Sequence, residues 1–152
     1  MDPYKTPDAD LTTEPQRQFK PVKAILYGLM ISIIVVAIVS MIEGIGFGIA
    51  LGVDFNDREA FKSALANSIA FMVTDLIVST FVFYFAGRVV GKRVPGKELK
   101  YGIIVTVITL VIYLPLLIDS DALSSYPVWY NLLGLVVFLV VIPYGAVSTA
   151  KN

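Results

Sequence analysis

The sequence predicts an all-α integral membrane protein: a four-helix antiparallel bundle with both termini on the cytoplasmic side. Three observations carry this. Residues 22–53, 64–90, 101–118 and 128–147 are nearly unbroken apolar stretches, each close to or beyond the ~20 residues that cross a bilayer as a helix. Hydrophobic residues make up 57% of the chain and charged residues only 16%. A soluble domain is nearer half apolar and a quarter charged, so most of this chain is built for lipid. The basic residues are also sorted by side. Lys5, Arg17, Lys20 and Lys23 precede or open the first stretch, Arg88, Lys92, Arg93, Lys97 and Lys100 join the second to the third, and Lys151 follows the fourth. The other two connections hold only Arg58 and Lys62, and an excess of Lys and Arg marks the cytoplasmic side.

In chain order, residues 1–21 are polar and proline-rich and read as a disordered cytoplasmic tail. They contain Asp2, Pro3, Tyr4, Pro7, Ala9 and Leu11 in the pattern Asp-Pro-Tyr-x-x-Pro-x-Ala-x-Leu. That pattern resembles the tail of uncharacterised small bacterial inner-membrane proteins. The resemblance covers the tail alone and implies a bacterial inner-membrane setting without implying an activity. Residues 22–148 then form a single transmembrane domain. Its first helix, about 22–52, is longer than a span needs and must tilt, protrude or break near its glycines. It is no cleaved signal peptide, whose apolar run is ~7–15 residues. A charged turn over 54–62 leads to the second helix, about 64–90. A basic loop with the turn signal Pro95-Gly96 leads to the third, about 101–118. An acidic loop over 119–127 leads to the fourth, about 128–147. Pro115 and Pro143 fall near helix ends, where a lost backbone hydrogen bond costs least. Tyr126, Trp129 and Tyr130 read as an aromatic belt at the outer surface.

Each helix carries a stripe of small and polar residues at spacings of three and four, the faces that should meet. They are Ser32, Val36, Ser40, Glu43 and Phe47 in the first, and Ala64, Ser68, Asp75, Ser79 and Ala86 in the second. The third has Gly102, Thr106, Thr109 and Tyr113, and the fourth Asn131, Gly134, Phe138, Val141 and Gly145. Gly44, Gly48 and Gly52 add a G-x-x-x-G-x-x-x-G ridge to the first helix. It serves either packing within the chain or a seam with a homodimer partner or another membrane protein. Gly87 and Gly91 form a weaker pair, because Arg88 lies inside it.

Two acids stand inside apolar stretches. Glu43 lies eleven residues before Asp54 and Asp75 eleven after Ala64, so a hairpin turning between them sets both ~16 Å from the turn. No Lys or Arg lies at that depth in any helix. Two carboxylates cannot both be ionised cheaply there, so at least one holds a proton or a cation lies between them. Ser40, Ser79, Thr109 and Tyr113 are the polar side chains that could join them in a proton or cation site.

The absence of His and Cys removes the commonest general base, the thiolate nucleophile and the usual transition-metal ligands. Intramembrane aspartyl proteases also use two acids, but in Gly-x-Gly-Asp and Tyr-Asp contexts, whereas Asp75 follows Thr74. No enzyme, cofactor or resident metal is expected. Net charge of zero gives no case for nucleic acid. Arg88, Lys92, Arg93, Lys97 and Lys100 are positive-inside markers and candidate contacts for anionic lipid headgroups, the bilayer being the one certain partner. Two function classes stay open: a non-enzymatic accessory or interaction protein with a buried carboxylate pair, or a small proton- or cation-coupled carrier using Glu43 and Asp75. The first is the expected one, because the bundle is minimal and the sequence shows no substrate pocket, and the carrier is its alternative.

Overall fold

A computed structural model describes residues 18–119 and 125–150, with 116–119 as backbone only. The tail motif, most of the stretch expected to be disordered, residues 120–124 of the acidic loop and Lys151 lie outside the described residues. The described elements are α1 (Pro21–Ala50), α2 (Arg58–Asn67), α3 (Ile69–Gly91), α4 (Glu98–Asp119) and α5 (Val128–Val147). All but α2 are long and apolar enough to cross a membrane, so the chain is an all-helical, multi-pass protein.

The second apolar stretch differs from expectation. Residues 54–62 are not simply a turn, and the second span does not begin at 64. Asp57 caps α2 by accepting from the Ala60 N–H at 2.9 Å. At Ser68 the backbone is extended (φ −89°, ψ 101°), and the Ser68 hydroxyl accepts from the Phe71 N–H at 3.2 Å to start α3. Two N-caps in succession make two helices, where hydrophobicity alone reads through the break. The third span also starts earlier, at Glu98 rather than 101, its carboxylate accepting from the Gly96 N–H at 2.9 Å. Gly52 ends α1 at φ +69°, and the Val53 N–H donates back to the Gly48 carbonyl at 3.0 Å. This is the left-handed stop that glycine supplies most cheaply.

α3 and α5 pack most closely, followed by α4 and α5. Gly87 and Gly91 lie directly against the α5 backbone at Ile142 and Ala146, and Gly145 against the α3 backbone at Tyr84. This is the close ridge of the bundle, ranked second in the sequence. Arg88 does not obstruct it, because its guanidinium turns toward the Tyr84 ring, 6.0 Å away. Gly44 and Gly48 face α2 instead: Leu65 and Phe61 cover the first, Phe61 and Phe55 the second. Gly52 caps the helix and has nothing beside it. The expected three-glycine ridge is thus a two-residue seat for the chain's own aromatic side chains.

α1 contains one π-helical turn, Ile31–Val35. Four residues overshoot a regular helical turn by about 40°, so a line of small residues spaced by four drifts around the helix. The wider turn takes back part of that drift. Ala24, Gly28, Ser32, Gly44 and Gly48 are all buried along this line. The first half of α1 packs against α3 and α4, and the second half mainly against α3 and α2. Two apolar clusters result. The larger joins Ala24, Val90, Val94, Val105 and Ile142 near the terminal side. The smaller joins Leu65, Phe71 and Met72 near α2.

Candidate functional site

Between these clusters lies the only place where described carboxylates from different helices meet. Asp75 sits about two turns into α3, and Glu43 about two turns before the end of α1, so the acids share a level. Ser40, three residues before Glu43 on the same face of α1, also reaches Asp75. The Ser40 hydroxyl donates to Asp75 Oδ1 at 3.4 Å. The Tyr130 hydroxyl, one turn inside α5, donates to Oδ2 at 2.6 Å, the length of a charge-assisted bond. Both Glu43 oxygens are covered by neighbouring atoms and have no hydrogen-bond partner. Asp75 is close enough for the two charges to interact. As whole residues the two acids are half-buried.

A cavity of about 460 Å³ opens beside them, bounded by the second half of α1, by α2, by the first half of α3 and by the start of α5. Ser40, Asp75, Ser79, Phe71, Tyr126 and Tyr130 line its inner wall. A second cavity, also about 460 Å³, lies between α3, α4 and α5, with Phe83, Leu110, Tyr113 and Phe138 in its wall. Asp75, Ser79, Val36 and Tyr130 border both, so one carboxylate is reached from two spaces.

Of the expected site residues, Asp75, Ser40 and Ser79 converge on the first cavity and Glu43 lies beside it. Thr109 and Tyr113 do not join them. Thr109 is fully buried and donates to the Val105 carbonyl at 2.8 Å, the back-bond a hydroxyl makes when no partner faces it. Tyr113 donates to the Ser32 carbonyl at 3.3 Å, in the π turn. Tyr126 and Tyr130 were missed. Both turn inward, their ring centroids 5.1 Å apart, whereas Trp129 remains 40% exposed. Tyr130 was detectable, since it lies one turn before Gly134 on the α5 packing stripe. Burial, with the Asp75 charge as second cause, pushes the Tyr126 phenol up from its ordinary 10.0.

The five basic residues divide into two sets. Arg93 donates to the Val89 carbonyl at 2.8 Å and lies 4.5 Å over the Tyr27 ring, and Arg88 turns to Tyr84. Lys92, Lys97 and Lys100 are exposed, with Lys97 5.1 Å over Phe19. Lys20 N–H donates to the Arg93 carbonyl at 2.8 Å, so this loop anchors the start of α1. Among the described residues no group of three or more acids, His or Cys forms a metal cage.

The fold and the site together define a four-span membrane protein with a carboxylate-bearing cavity between its helices. No protein-family model matches the chain, and neither a curated protein nor a solved structure is significantly similar to it.

Proposed function

We propose that this is a small proton- or cation-coupled carrier of a bacterial inner membrane, with both termini cytoplasmic and Glu43 and Asp75 as its coupling pair. One observation favours this over a purely structural or accessory role. Asp75 lines an open cavity, and Glu43 beside it has no hydrogen bond to hold it. A pair kept only to fix helix register would bond to itself and to its neighbours, because an unsatisfied polar group in hydrocarbon is costly. Here Asp75 has two donors and Glu43 has none. No basic side chain answers them: the one ion pair among the described residues is Lys62 with Glu59, on exposed α2. The missing positive charge is the one the site is built to exchange, whether a proton or a cation.

Reconstituted liposomes test the reading. Wild-type protein should pass a proton or alkali-cation current under an imposed voltage. Asp75→Asn should abolish it, and Glu43→Gln should reduce it by about tenfold or more, as for loss of a membrane-embedded ionisable group. No current above that of empty liposomes, or a current unchanged by Asp75→Asn, would sink the proposal.

A further inference from the structure

The chemistry of the first cavity narrows what the acids hold. We propose that it binds a lipophilic organic ammonium ion entering from the hydrocarbon, with Asp75 as counter-charge and an aromatic wall as host. This inference rests on the carrier reading above and names its substrate class.

Three features converge on it. The first is charge. Asp75 lines the cavity, Glu43 lies within electrostatic reach of Asp75, and no described basic side chain pairs with either. A neutral apolar guest would leave them unanswered. The second is the wall. A small metal ion takes six or more oxygens, or keeps its own waters. Besides the Asp75 carboxylate, this cavity offers the hydroxyls of Ser40, Ser79, Tyr126 and Tyr130 and is otherwise Phe, Leu, Met, Ile, Val and Gly. Such a wall suits a weakly hydrated cation whose alkyl groups bury against aromatic faces. Tyr126 and Tyr130 lie next to each other, with Phe61 and Phe71 across the same space. Rings so placed attract quaternary ammonium groups through their π faces. The third is the entrance. Met41 and Ile45 line the cavity and are 61% and 44% exposed on the surface of a membrane-spanning helix. The opening therefore faces lipid, and a guest using it must first partition into the bilayer. A volume of about 460 Å³ lies within the usual range for a small organic ligand.

Trp129 is the only tryptophan in the chain, and its ring lies 6.0 Å from Tyr130, so its fluorescence reports on this wall. Full-length protein in lipid nanodiscs would be titrated with 3-phenylpropyltrimethylammonium and, separately, with its carbon isostere, in which a quaternary carbon replaces the nitrogen. The ammonium should change the Trp129 signal saturably, and the isostere should bind about tenfold or more weakly. Asp75→Asn should erase that difference, with thermal melting confirming that the variant is folded. The wild-type comparison decides by itself if the variant does not fold. Equal binding of ammonium and isostere overturns the inference, as does no saturable response to the ammonium. If Na⁺ or K⁺ drives an Asp75-dependent current while the ammonium does not bind, the organic substrate is wrong and the carrier reading stands. If neither binding nor current depends on Asp75, both fall.

Discussion

Tyr126 stands just ahead of α5, half-buried and within electrostatic reach of Asp75. Its phenol holds its proton more tightly in the folded chain than at its ordinary 10.0. The sign of the pH effect follows. The contribution to stability is fully present below about pH 10 and is lost as pH rises from there through the folded value. Tyr126→Phe removes the titrating group, so its alkaline unfolding curve should be flatter than that of wild type. Helical circular dichroism against pH in detergent would show this, and identical alkaline slopes would contradict it. At this scale Asp75, Ser40 and Ser79 were legible because polar groups in an apolar run stand out against their surroundings. Tyr130 carried only the weaker signal of its place one turn before Gly134, because a tyrosine near a helix start fits a headgroup anchor as well as it fits a carboxylate donor. Thr109 misled for the opposite reason: in a helix a hydroxyl can satisfy itself on its own backbone and needs no partner across the bundle.

Helix contacts separate two kinds of glycine. A methyl group at Gly87 would run into the α5 backbone at Ile142, which cannot move aside without parting the helices. At Gly48 it would meet the ring edges of Phe61 and Phe55, and Phe55 is 50% exposed and free to swing. Gly87→Ala should therefore cost about 1–3 kcal/mol or more, the usual range for overpacking, and Gly48→Ala less than about 1 kcal/mol. Thermal unfolding of both variants in one detergent checks the order, and a Gly48 variant weaker than the Gly87 variant would reverse the packing assignment. The four spans were readable because runs of about twenty apolar residues have few other uses. The break at Ser68 was present in the sequence as two successive capping residues, Asp57 and Ser68, but the continuous hydrophobicity after Ala64 masked it. The π turn at Ile31–Val35 has no residue signature at all. It exists because the small-residue line must stay on one side of a long helix.

For the whole molecule, the proposed orientation makes the α1–α2 turn and the α3–α4 turn face opposite compartments. Asp57→Cys should react with an impermeant maleimide added outside spheroplasts, and Pro95→Cys only after the membrane is opened. The reverse pattern would invert the topology. The sequence conveyed the number of spans and the excess length of the first. α1 has 30 residues and α5 has 20, or ~45 Å against ~30 Å of helix. The hydrocarbon core is ~30 Å thick. A helix that exceeds the core so far must tilt within it or protrude from it. The second half of α1 and the start of α5 both line the cavity beside Asp75. Any tilt that relieves the mismatch therefore moves one wall of that cavity, so acyl-chain length in the bilayer should act on the site without a binding pocket of its own.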